Sequence, residues 1–153
     1  MTDYLNKKFL INLFLTIIIF SLDRISKIYV ISQSEKNLFN DLFQSKFLNI
    51  SLIWNEGIAF GLLSFEKSQF YNILTFLILI VVILIFFMIL RSEGLKKYSL
   101  LMILGGALGN LYDRIFFKAV PDFIDFHIGN FHWFIFNVSD IFISIGVIGM
   151  IVV

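Results

Sequence analysis

"SQFYNILTFLILIVVILIFFMIL", residues 68–90, carries no charged side chain. A helix needs roughly 20 predominantly apolar residues to cross the hydrocarbon core of a bilayer, and this run supplies them without interruption. The rest of the chain agrees. Of 153 residues 59% are hydrophobic, 20 are Phe, and the mean hydropathy is +0.91. A soluble domain averages about 45–50% apolar, so the excess points to lipid as solvent. Working outward, residues 9–31, 98–117 and 133–153 are also long and apolar enough to span. The expectation is one all-α integral membrane domain over residues 1–153, with four transmembrane helices.

Composition excludes several classes of function. Net charge is +1 with no basic arm, which gives nucleic acid nothing to bind. There is no Cys, hence no thiolate nucleophile and no zinc–thiolate site. His127 and His132 lie five apart and outside any HExxH frame, so no metal or other cofactor is expected. Lys7 and Lys8 precede an apolar run that flows into "SLDRISK" and not into a small-residue cleavage site. A retained first helix is therefore expected in place of a signal peptide.

Basic residues outside the spans set the expected orientation. Lys7 and Lys8 flank the first helix, and Arg91, Lys96 and Lys97 fill the loop after residue 90. The positive-inside bias then places both termini in the cytoplasm and residues 32–67 and 116–132 on the outer face. In "FLNISLIWNEGIAFG", residues 47–61, Leu48, Ile50, Leu52 and Trp54 recur with period 2. "NEG" breaks that run before "IAFG" resumes it, so a small extracytoplasmic β-structure is expected between helices 1 and 2.

The charges inside the spans are more informative, because each costs roughly 2.5–3.5 kcal/mol at mid-membrane on insertion scales. Asp23 and Lys27 are four apart in the order that favours an ion pair on one helix face. Packing of helices, or anchoring at the headgroups, accounts for them better than direct chemistry by Asp23. In "GGALGNLYDR", residues 105–114, Gly106, Asn110 and Asp113 or Arg114 line one face. Small residues there admit a neighbouring backbone, and Asn can bond across the contact. Arg114 can snorkel to headgroups or bind a carbonyl or a phosphate.

Three carboxylates, Asp122, Asp125 and Asp140, stand at the threshold of the last apolar segment. Two acids at one interface can share a proton, one pKa rising as the other falls, which places an acid beside a base. Such a pair activates water without a metal. Alternatively Asp140, with Asn137 before it in "FNVSD", caps a helix and Asp122 is a solvated loop acid. In an extended segment Asp122 and Asp125 point to opposite faces, so both could not meet Asp140. In a helical turn they would share a face, and Asp125 would add a third negative charge beside the pair.

The motifs "DRISK" (23–27), "NEGIAF" (55–60), "GGALGNLYDR" (105–114), "PDFIDF" (121–126) and "FNVSD" (136–140) occur in this order. Together they resemble the prolipoprotein signal peptidase family, the bacterial type II signal peptidases, over nearly the whole chain. Pro121 stands where that family usually has an aliphatic residue, and Ser139 where Ala is usual. The resemblance implies a monomeric aspartyl endopeptidase of the bacterial inner membrane. It would contact membrane lipids and cut diacylglyceryl-modified prolipoproteins before the lipidated cysteine. By motif position Asp122 and Asp140 would be the catalytic dyad. Asn55 and Arg114 would hold substrate, Asn110 and Asn137 would order the site, and Asp23, Lys27, Gly106 and Asp113 would support the pocket.

Two other classes compete. A proton-coupled transporter could relay through Asp23, Asp113 and Asp140, but these acids cluster toward one membrane face and form no ladder across it. A non-catalytic scaffold would use the charges only to pair helices, and it leaves Asp122 without a purpose.

Overall fold

The computed structural model describes residues 2–36, 41–57 and 68–153. Helix α1 (Thr2–Lys36) leads into strands β1 (Asp41–Gln44) and β2 (Leu48–Asn55). Helices α2 (Ser68–Leu90) and α3 (Gly94–Phe116) follow, then strands β3 (Val120–Ile128) and β4 (Phe131–Phe136) and helix α4 (Val138–Val152). The expected second helix coincides with α2. The resumption of the strand pattern at residues 58–61 lies outside the described residues.

Helix α2 contributes Val82, Ile85 and Ile89 to a core shared with Leu100, Leu101, Leu104 and Leu111 of α3. Their hairpin is tight. Ser92 donates its hydroxyl to the carbonyl of Met88 at 2.8 Å, and Gly94 takes the left-handed conformation (φ +59°) that reverses the chain. Helices α3 and α4 approach so closely that a Cβ on Gly106 would lie 2.5 Å from the backbone oxygen of Ser139. On the outside, Phe14, Ile25, Leu84 and Leu90 are all more than half exposed. Apolar surface on this scale is unsuited to water and suited to lipid.

Among the described residues, two helices meet the length and hydropathy of a membrane span, Lys7–Lys36 and Tyr71–Leu90. The fourth expected span, residues 133–153, begins later than the apolar run suggests. Residues Phe131–Phe136 form β4, and α4 starts only at Val138. "FHWFIF" is as apolar as a helix but aromatic-rich, and aromatics fit a pleated sheet. Gly129 (φ +60°) makes the turn that folds it back on β3.

The sheet is likewise larger than expected. Its four antiparallel strands run in the order β1-β2-β3-β4, so half of it comes from the segment between α3 and α4. An irregularity in β2 between Ile50 and Ile53 separates the pairs Ile50↔Ile124 and Ile53↔Asp122. The expected loop acid Asp122 is therefore a strand residue. The sheet lies at the end of the bundle where α1 and α3 finish and α4 begins. The motif residues meet there.

Candidate active site

Helix α4 opens with a capping box. The Asn137 side-chain oxygen accepts from the backbone N–H of Asp140 (3.2 Å), and Asp140 Oδ2 accepts from the backbone N–H of Asn137 (3.1 Å). Because the amide oxygen is committed to a backbone donor, its NH2 end must turn the other way. It donates to Asp122 Oδ1 at 2.6 Å. Asn137, fully buried, thus holds both acids. Asp122 Oδ2 accepts from Asn55 Nδ2 at 2.8 Å, and Asn55 Oδ1 accepts from the Gly57 N–H at 2.9 Å. Asp140 Oδ1 accepts from Asn110 Nδ2 at 2.8 Å.

Behind Asn110 lies a buried network of two cations and two anions. Lys27 Nζ donates to Asp113 Oδ2 (2.7 Å), Asn110 Oδ1 (2.8 Å) and Asp23 Oδ1 (2.9 Å). Arg24 grips both oxygens of Asp113, at 2.6 and 2.8 Å, and reaches Asp23 Oδ2 at 2.8 Å. Asp23 Oδ1 also accepts from the backbone N–H of Ser139, in the first turn of α4, at 3.0 Å. A free N–H at a helix start needs such a partner. The network therefore supports α4 from outside, one residue before Asp140. The i,i+4 pair expected of Asp23 and Lys27 is present, and it is a part of something larger.

Arg24 is the residue that sequence reasoning missed. It stands inside "DRISK", between the two residues whose four-residue spacing marks a pair. Its guanidinium also lies 4.8 Å from the Tyr112 ring centroid, on the face expected of a cation–π contact. The signal available was charge balance: Asp23 and Asp113 need two cations, and Lys27 is one.

Gly109 faces this network directly. A Cβ there would lie 2.5 Å from Asp23 Oδ2, so no larger residue fits without displacing the carboxylate. Arg114 donates to the carbonyls of Gly57 and Asn110, each at 3.2 Å, and its Nε has no partner among the described residues. It ties α3 to the turn after β2. Asn55 and Arg114, expected to hold substrate, are both found within this framework.

The surroundings of Asp122 favour its protonated form. Burial pushes its carboxyl up to about 6, and the charge of Asp140 adds to the rise. Hydrogen bonds from Asn55 and Asn137 and the charge of Lys27 oppose it. A group poised there exchanges its proton close to neutrality.

Asp125 is three residues along β3 and on the opposite face. It pairs with His132 (2.9 Å to Nδ1) and accepts from Asn49 Nδ2 at 3.4 Å. Neither Asp122 nor Asp140 has an imidazole beside it. Among the described residues, the His and carboxylate donors that gather are Asp125, His127 and His132.

The arrangement has relatives. The family profile for Signal peptidase (SPase) II matches residues 15–153. A lipoprotein signal peptidase of Pelagibacter ubique (strain HTCC1062) is 48% identical over 147 residues, covering 96% of this chain and 89% of that protein. The lipoprotein signal peptidase of Anaplasma marginale (strain Florida) is 38% identical over 134 residues, 86% of this chain and 76% of that one. Two solved bacterial membrane enzymes superpose with TM-scores of 0.72 and 0.68. They are 32% and 31% identical, and each match covers 92% of this chain and 85% or 90% of the other. The match runs through every motif that builds the two-acid centre, and the chain belongs to the signal peptidase II family, whose members are peptidases.

Proposed function

We propose that this chain is an aspartyl endopeptidase that removes the signal peptide of diacylglyceryl-modified prolipoproteins, cutting before the lipidated cysteine. The observation that carries this reading is Asn137, which donates to Asp122 from its side chain and to Asp140 from its backbone. Two carboxylates held by one residue are in a position to share a proton.

Asp122, with its carboxyl raised to about 6, is the member that holds the proton and polarises the scissile carbonyl. Asp140, fixed by Asn110 and the capping box, takes a proton from the attacking water. The tetrahedral intermediate then collapses as a proton passes to the leaving amine. Asn55 and Asn137 keep the acids aimed, and Arg114 offers its Nε, which has no partner among the described residues, to a substrate carbonyl. No metal or cofactor takes part. The protein works as a monomer among membrane lipids, without nucleic acid.

In the membrane, α3 and α4 complete a four-span bundle with α1 and α2. Both termini lie in the cytoplasm of a bacterial inner membrane, and the sheet lies at the outer face. There the cleavage site emerges while the acyl chains stay in lipid. The decisive experiment incubates purified protein with a diacylglyceryl-modified prolipoprotein and weighs the products. A cut on the N-terminal side of the modified cysteine is expected, and an uncut substrate would refute the reading. Cysteines introduced at positions 40 and 94 should label from opposite sides, with 40 outside.

A further inference from the structure

We infer that Asp125, His127 and His132 form a binding site for a divalent transition-metal ion of the zinc class, separate from the two acids and bridging β3 to β4. His127 and His132 are five apart in sequence, but the turn at Gly129 makes them cross-strand partners. Asp125 is two residues from His127, hence on the same face of β3. One donor atom from each of the three residues lies within 4.8 Å of the others.

Three features distinguish this cluster from a chance meeting of polar side chains. The imidazoles stack with centroids 5.0 Å apart and planes 21° from parallel. Both oxygens of Asp125, a residue only 5% exposed, face Nδ1 of His132, at 2.9 and 3.0 Å. Nδ1 of His127 is buried and has no hydrogen-bond partner among the described residues. A buried ring nitrogen without a partner is uncommon, and a cation is one way to satisfy the cluster.

Two imidazoles and a carboxylate make a borderline donor set that suits zinc, with a fourth position left for water. Zinc–ligand distances of about 2.0–2.2 Å require donors no more than about 4.4 Å apart. The half-exposed His132 side chain has the freedom to close that gap. Asp122 projects from the other face of β3, so the ion would not touch the acids. It would clip together the strand that carries Asp122 and the strand that leads to Asn137. Its role is to stiffen the frame, with no part in the chemistry.

The test uses the full chain, free of any histidine tag, in detergent micelles and stripped with EDTA before titration with zinc chloride in a calorimeter. One ion per chain should bind. His132→Ala and His127→Ala should each weaken binding by about 10-fold or more, the scale on which metal sites respond to a lost supporting contact. Without zinc, His132→Ala should melt somewhat below the wild type, because the buried Asp125 carboxylate loses a partner. With zinc, only the wild type should gain stability. The proposal fails if the wild type binds no stoichiometric zinc, or if the His variants bind as tightly as the wild type. It also fails if binding is lost in Asp122→Asn or Asp140→Asn, which would locate the ion at the acids.

Discussion

Lys27 donates to the side-chain oxygen of Asn110 at 2.8 Å, and this contact decides which end of the amide faces Asp140. Lysine can only donate, so the amide oxygen must turn toward it and leave the NH2 group for the carboxylate. One cation thus neutralises Asp23 and Asp113 and also sets the polarity of a hydrogen bond to Asp140. Lys27→Ala should therefore be among the most damaging single substitutions. Two buried carboxylates would lose the cation they share with Arg24, and a broken buried pair costs about 3–5 kcal/mol. Thermal unfolding in detergent should show a large drop in midpoint. A variant as stable as the wild type would mean that the network is dispensable.

Asp122→Asn and Asp140→Asn should each abolish processing of a lipidated prolipoprotein while the protein still inserts and folds. Asn keeps the shape of Asp but carries no exchangeable acid proton. EDTA should leave wild-type cleavage in place, since Asp125, His127 and His132 lie on the far face of β3 from Asp122. The measurement is product mass against time. Near wild-type turnover by either variant would remove the dyad from the mechanism.

The pH profile follows from Asp122. On the proposed mechanism the singly protonated pair is the competent form, and burial pushes the Asp122 carboxyl up to about 6, against an ordinary value of 3.8. Raising the pH through that range strips the shared proton, so kcat/KM should fall on the alkaline side with a midpoint near about 6. Bound substrate expels water and makes the charged form costlier, so the corresponding limb of kcat should lie higher. A kcat/KM profile that is flat between about pH 5 and about pH 8 would show that Asp122 does not hold the working proton.

Asp125→Asn should retain most of the cleavage that Asp122→Asn loses. Asp125 is engaged with His132 and Asn49, across the strand from the acids. Both variants assayed in the same detergent decide the matter. An inactive Asp125→Asn beside an active Asp122→Asn would reverse the assignment.

Gly106→Ala tests the helix contact. Its Cβ would lie 2.5 Å from a backbone oxygen, Ser139 O, which has no rotamer to move aside. Overpacking of this kind costs typically about 1–3 kcal/mol. The shift would move the first turn of α4, so turnover should fall along with the unfolding midpoint. Unchanged stability would show that α3 and α4 have slack at this point.

Much of this was legible in the chain. The uncharged run at residues 68–90 is α2, and the four-residue spacing of Asp23 and Lys27 is a real pair. What was hidden has a common cause, which is that local pattern does not record partners. "FHWFIF" has the hydropathy of a span and becomes β4 only because β3 offers it an edge. Arg24 has no partner marked by spacing along the chain, because it is α3 that brings Asp113 to it. His127 and His132 show no metal spacing along the chain, because the register of a hairpin is what joins them.

The late start of α4 has a further consequence. A helix begun at residue 133, as the apolar run suggests, would carry Asp140 two turns in, about 10 Å below its first residue. Because β4 takes Phe131–Phe136, the helix opens at Val138 and Asp140 lies in its first turn. On the four-span reading the hairpin thus lifts the acids to the rim of the bundle, where water meets them without crossing lipid.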